Sequence, residues 1–225
     1  MAKLIQTLFL LISLVATCIA AKNRRDDDEN MPGLHGNESL RTKAHIAHGT
    51  VISVAIVLFF PLGATMLRLS SSKNIVWWHM VWQMIGMFIL FVGFGLGCWL
   101  SYLHNELWNR GHEVFGTVLV GLFFMQPLLG MLHHRYFTLT GKKNYKRDLH
   151  VWLGRILIAL GIINGGTGIK LAANTTSGAI IYGVIVGVVF VVYVCAWYWS
   201  YRHKTEGETT QSSSETRDPD SQVLE

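Results

Sequence analysis

Apolar and polar residues are segregated along this chain into long blocks rather than interleaved. Residues 44 to 67, 75 to 103, 114 to 134 and 171 to 201 contain no Asp, Glu, Lys or Arg. A helix that crosses a bilayer needs about 20 predominantly apolar residues. Because lipid offers no partner to an unpaired backbone group, such blocks predict helices. Five spans are expected, at 44–68, 75–101, 112–133, 150–172 and 178–200. Ahead of them, Lys3, the apolar stretch from Leu8 to Val15 and the small Ala20 and Ala21 have the layout of a secretory signal peptide over 1–21, cleaved after Ala20 or retained as an anchor. Residues 22–43 carry Asp26, Asp27, Asp28 and Glu29 beside Arg24 and Arg25 and have too little apolar content to fold alone, so they read as an exposed leader. Residues 201–225 are rich in Ser, Thr and Glu and read as a disordered tail. The expected fold class is an all-α membrane protein with five transmembrane helices after a signal peptide.

Composition sharpens this picture. Of 225 residues, 51% are hydrophobic and 15% charged, against roughly 25% charged in a typical soluble domain. That excludes an ordinary cytosolic enzyme and leaves no room for a separate soluble catalytic domain. Cys18, Cys98 and Cys195 show no paired spacing, which argues against a disulfide framework or a thiolate metal site. The net charge of +5 reports topology rather than nucleic-acid binding. With the leader outside, five spans place the carboxyl terminus in the cytoplasm, and the segment holding Arg135, Lys142, Lys143, Lys146 and Arg147 falls inside, as the positive-inside rule requires. The sequons at Asn37 and Asn174 then both face outward and predict a glycoprotein. A signal peptide routes the chain to the plasma membrane or to a vacuole or vesicle membrane.

The histidines sort by depth. His45 and His48 open the first span, His79 the second, His112 the third and His150 the fourth. Since successive spans alternate in direction, His48 and His112 lie near the outer face and His79 and His150 near the inner one. Each pair comes from alternate helices, so in a four-helix bundle two imidazoles can approach one plane from both sides, the arrangement of bis-histidine haem ligation. His45 lies one turn from His48 and competes with it on distance; His48 is deeper. Taking a hydrocarbon core of roughly 30 Å with ligands about 5 Å inside each surface leaves about 20 Å between the two layers. Gly154, Gly161, Gly165 and Gly168 lie within about 60 degrees of the His150 direction. Gly86 and Gly93 repeat the His79 face, Gly116 and Gly130 that of His112, and Ala55 and Gly63 that of His48. Such lanes of missing side chains leave room for a macrocycle, or else simply allow close helix packing. Gln126 and Asn164, each fourteen residues past a histidine, are expected to point inward, as haem hydrogen-bond donors or as interhelical glue.

Several stretches resemble the cytochrome b561 domain: His48-Gly49 followed by Phe60-Pro61-Leu62-Gly63, Trp78-His79 with Gln83 and Gly86, Gln126-Pro127-Leu128-Leu129-Gly130 before His133-His134, and His150-Val151-Trp152-Leu153-Gly154-Arg155 followed by Gly161-Ile162-Ile163-Asn164-Gly165-Gly166. The resemblance runs from about residue 44 to 200. It is closest to the fungal type that often follows an extracellular DOMON module, which is not expected here because only the short leader precedes the first span. The resemblance implies two haem b groups, held by His48 with His112 and by His79 with His150, in a dihaem bundle of the first four spans, and it implies transmembrane electron transfer. It also implies ascorbate as the cytoplasmic donor.

On this reading Arg155 faces a haem propionate or another bundle acceptor, or snorkels to the interface. His133 and His134 adjoin the inner layer. Lys73, Lys142, Lys143 and Lys146 form a cytoplasmic surface that draws an anionic reductant, and His104 borders an outer site for ferric chelate or monodehydroascorbate. No general acid, base or nucleophile is required, so no catalytic side chain is expected. Two other readings compete. One is a transporter whose histidines bind a transition metal directly, although the charge-free blocks of the spans lack the carboxylates it needs. The other is a haem-bearing subunit that relays electrons to an extracellular redox protein, with Gly183 and Gly187 at small-xxx-small spacing offering a face to a partner or a second copy.

Overall fold

The computed structural model describes residues 38–103, 109–172 and 176–215. The signal peptide, the leader up to residue 37, His104, both sequon asparagines and residues 216–225 lie outside the described residues. Among the described residues, five helices are long and apolar enough to cross a membrane: Ser39–Leu69, Ile75–Tyr102, Gly111–Thr140, Tyr145–Leu171 and Thr176–Arg202, the first to fifth spans.

Helix ends run past the apolar blocks. The third helix continues through Arg135 to Thr140, so most of the basic segment is helical and the connection to the fourth shrinks to residues 141–144. Gly141 ends the third helix in the left-handed conformation (φ 66°), its N–H donating to the Phe137 carbonyl at 2.8 Å, a backbone state that costs glycine nothing. Asn144 caps the fourth by accepting from the Arg147 N–H at 3.3 Å. The fifth helix runs on to Glu215, into the segment read as a tail, since extending a formed helix requires no new nucleus.

The first span is not uniform. It is α-helical over Glu38–Ser53, π-helical over Val54–Phe59 and α-helical again over Phe60–Leu69. Pro61 lacks an N–H and its ring crowds the carbonyl four residues back, which a widened turn just before it relieves. The second span helps to satisfy this turn: Trp82 Nε1 donates to the Phe59 carbonyl at 2.8 Å and Gln83 Nε2 to the Phe60 carbonyl at 3.3 Å.

The first and second spans pack as one antiparallel pair and the third and fourth as another. The pairs share one core, in which Ala55 and Phe60 meet Leu90, Phe123 and Leu157. Phe60 stacks on Phe123 at 4.8 Å between ring centroids and Phe91 on Phe124 at 4.2 Å. Outward faces keep large apolar side chains such as Phe88, Ile163 and Phe190 exposed, as a bilayer rather than water would have it. The fifth span lies outside this bundle. It packs Val188, Val189, Val192 and Tyr193 against Pro61, Leu62 and Thr65 of the first, and Tyr182 donates its hydroxyl to the Ile162 carbonyl of the fourth at 2.8 Å.

Candidate functional site

Each of the four histidines at the span openings directs Nδ1 at a backbone carbonyl of the helix paired with its own. His48 meets Gly93 at 2.8 Å, His79 meets Gly63 at 2.8 Å, His112 meets Asn164 at 3.0 Å and His150 meets Gln126 at 3.1 Å. A carbonyl only accepts, so the Nδ1 of His48, His79 and His112 carries the proton and Nε2 is left as the unprotonated nitrogen.

These contacts obey one spacing rule. Gly93 is fourteen residues past His79, Gln126 fourteen past His112 and Asn164 fourteen past His150. Gly63 is fifteen past His48, and the stretch between them holds the π turn, which absorbs one extra residue. The two helix pairs are therefore an internal repeat in geometry that the sequence barely shows. Fourteen residues at 1.5 Å rise separate the two histidine levels by about 21 Å along a helix, in agreement with the spacing expected from the bilayer.

Side-chain size alternates to suit this packing. Four residues past each histidine lies the residue that faces the carbonyl-bearing position of the partner helix. In the first pair the carbonyl-bearing residues are glycines and their neighbours are large: a Cβ on Gly93 would come within 2.7 Å of Ile52, and one on Gly63 within 2.9 Å of Gln83. In the second pair the sizes are exchanged. Gly116 lies against the Asn164 amide, 3.0 Å from where its Cβ would stand, and Gly154 against the Gln126 amide at 3.4 Å. The Asn164 Nδ2 donates to the His112 carbonyl at 3.3 Å. Turned so that its NH₂ faces the His150 carbonyl at 3.0 Å, the Gln126 amide also accepts from the Gly154 N–H at 3.1 Å. Both polar side chains thus bind the histidine backbone of the opposite helix.

The structure brings His48 and His112 together, with ring centroids 6.2 Å apart and planes at 86°. His79 and His133 lie within electrostatic range of His150, and His45 within range of His48. Three rings are seated on glycine: a Cβ would come within 2.7 Å of His48 at Gly97, 2.7 Å of His112 at Gly168 and 3.3 Å of His150 at Gly130. Other glycines on the expected lanes are met by apolar or phenolic side chains, Gly86 by Phe59 and Phe60, Gly161 by Ile56, Gly165 by Tyr182. Arg155 is half-buried with its guanidinium 4.9 Å from the Trp152 ring centre. His133 shares a hydrogen bond of 3.1 Å with Asn144, and His134 is exposed. Lys73, Lys142 and Lys143 are exposed on the two connections at the His79 and His150 end, and Lys146 is half-buried in the first turn of the fourth helix. Among the described residues, no three His, Cys, Asp or Glu side chains gather as around a bare metal ion.

Over 154 residues the chain is 29% identical to a cytochrome b561 and DOMON domain-containing protein of Arabidopsis thaliana, an alignment covering 65% of this chain and 37% of that relative. This likeness supports a cytochrome b561 domain protein. The chain thus spans little more than a third of the length of the curated relative it matches. No family model matches it, and no solved structure does. Together with the five apolar helices, the likeness supports an integral multi-pass membrane protein.

Sequence reasoning singled out the four histidines but not what holds them. The carbonyls of Gly63 and Gly93, the seats at Gly97 and Gly168, and Thr167, whose hydroxyl donates to the Asn164 carbonyl at 2.8 Å, were not foreseen as supports. The repeated fourteen-residue interval was the available signal, and it was masked in the first span by the π turn.

Proposed function

We propose that this chain passes single electrons across a membrane through two bis-histidine haem b groups, one held by His48 and His112 and the other by His79 and His150. The observation that carries this reading is the His48–His112 contact with both Nδ1 atoms engaged on carbonyls. Two imidazoles bound through Nε2 to one metal at about 2 Å place their ring centroids roughly 6 Å apart, close to the observed 6.2 Å.

Haem iron, when bound, supplies a one-electron couple. The protein's part is to hold each pair of imidazoles in one tautomer, exclude water with the aromatic core and keep the two levels about 21 Å apart along the helices. At the His79 end, placed in the cytoplasm by the positive-inside rule, Lys73, Lys142, Lys143 and Lys146 draw an anionic, ascorbate-like reductant. Arg155 is proposed as the cation for a propionate on that side. At the other end, where His104 is proposed to lie, an acceptor such as ferric chelate or monodehydroascorbate takes the electron, or an extracellular redox protein relays it. Direct transition-metal transport is the weaker reading, because among the described residues the donors stand in pairs and not in groups of three or more.

The test is a reduced-minus-oxidised visible spectrum of the purified chain, with haem quantified per protein, alongside His48→Ala, His45→Ala and His79→Ala. A b-type spectrum with two haems, one lost with His48 or His79 and none with His45, supports the proposal. Well-folded protein without haem overturns it.

A further inference from the structure

We infer that Asn164 and Gln126 are positioning residues, each serving a different redox centre; this rests on the dihaem reading above. The argument begins with the exchange of sizes between the two helix pairs. In the first pair the residues that receive Nδ1–H are Gly93 and Gly63, which offer a carbonyl and nothing more. In the second pair the same role falls to residues with amide side chains. Asn164 accepts from His112 through its carbonyl at 3.0 Å and returns Nδ2 to the His112 carbonyl at 3.3 Å. His150 Nδ1 lies 3.1 Å from the Gln126 carbonyl, and the turned Gln126 NH₂ lies 3.0 Å from both the His150 carbonyl and Nδ1.

A returned amide does two things a glycine carbonyl cannot. It locks the histidine backbone against the carbonyl that its own ring addresses, so ring and main chain move as one unit. It also places a buried dipole beside the metal-binding imidazole, where a low dielectric makes it felt. Both amides are buried, and Gly116 and Gly154 supply the space they occupy. Because His112 pairs with His48 and His150 with His79, each centre has one histidine held on a plain glycine carbonyl and one held by an amide clamp. Asn164 therefore acts on one centre and Gln126 on the other. At Asn164, Thr167 adds a hydroxyl 2.8 Å from the backbone oxygen and 3.1 Å from the side-chain oxygen, its single proton shared between them, so the two clamps differ in composition as well as place.

The experiment uses the full-length chain purified with its haem. Electron paramagnetic resonance of the oxidised protein reports the two low-spin centres separately, because the signal depends on how the imidazole planes are held. Potentiometric titration reports their midpoints. Asn164→Leu is expected to shift one signal and one midpoint and Gln126→Met the other, each leaving the second centre as in the unmodified protein and haem content at two per chain. Should Asn164→Leu fail to accumulate, Gly116→Ala presses a Cβ to within 3.0 Å of the same amide and should move the signal assigned to Asn164. Both variants moving the same signal, or neither moving any, overturns the inference while the dihaem reading stands. An unmodified protein without two haems removes that reading instead.

Discussion

His112 and Asn164 are bound to each other twice, the imidazole Nδ1–H to the Asn164 carbonyl at 3.0 Å and the Asn164 amide to the His112 carbonyl at 3.3 Å. Such reciprocity across two antiparallel helices fixes their register to a fraction of a turn. The same exchange between His150 and Gln126, one histidine-to-amide interval away, fixes it again at the other end.

The π turn makes an unusual prediction. A π turn accommodates one inserted residue without changing the register of the helix on either side. Deleting Leu58 from Val54–Phe59 should therefore let the segment close to α-helix, keeping His48 against Gly93 and His79 against Gly63. Deleting Phe88, in the regular helix between His79 and Gly93, rotates the flanks by about 100 degrees and should abolish one centre. Haem stoichiometry of the two deletions is the measurement, with retention expected for the first and loss for the second.

Gly168 is held small by the ring of His112. Its Cβ would stand 2.7 Å from the imidazole Cε1, so Gly168→Ala should destabilise by about 1–3 kcal/mol through overpacking and disturb the centre that contains His112. Gly121 has open space around it, and Gly121→Ala should be neutral or slightly stabilising, by about 0.5–1 kcal/mol. Thermal unfolding in detergent, read beside the visible spectrum, separates the two.

Tyr182 makes a polar tie between the fifth helix and the bundle. Tyr182→Phe removes the 2.8 Å hydrogen bond to the Ile162 carbonyl and should cost about 0.5–1.5 kcal/mol, visible as a lower melting temperature. Haem content and both redox midpoints should stay as they are, since the fifth span holds none of the four histidines.

Charge reversal at Lys142 and Lys143, both exposed at the His79 end, tests the proposed donor surface. Reduction by an anionic donor should slow by about tenfold at low ionic strength, and the gap should close as salt screens the surface. Stopped-flow reduction with ascorbate across a salt series would show it. Equal rates for variant and unmodified protein would argue that the donor docks elsewhere.

Much of this protein was legible from the chain alone, for a clear physical reason. Lipid forces backbone polar groups to pair within their own segment, so Ile75–Tyr102 and its neighbours had to be helices wherever charge was absent for long enough. Alternating direction then set His48 level with His112 and His79 level with His150 without any knowledge of packing. Boundaries were less legible: Arg135–Thr140 is polar enough to read as loop, yet it continues a helix that only Gly141 ends. The glycines of Gly86, Gly161 and Gly165 could be placed on a face, but whether they opened a lane or admitted a neighbour depended on Phe59, Ile56 and Tyr182, which come from other helices. Likewise, Gln126 and Asn164 could be aimed inward by angle, but their partners, the carbonyls of His150 and His112, are set by the approach of two helices and appear in no local pattern. Periodicity along one strand of sequence determines which way a side chain faces. Only tertiary packing decides what it meets there, because that depends on the distance and register between helices, and those are settled by the summed sizes of residues far apart in the chain.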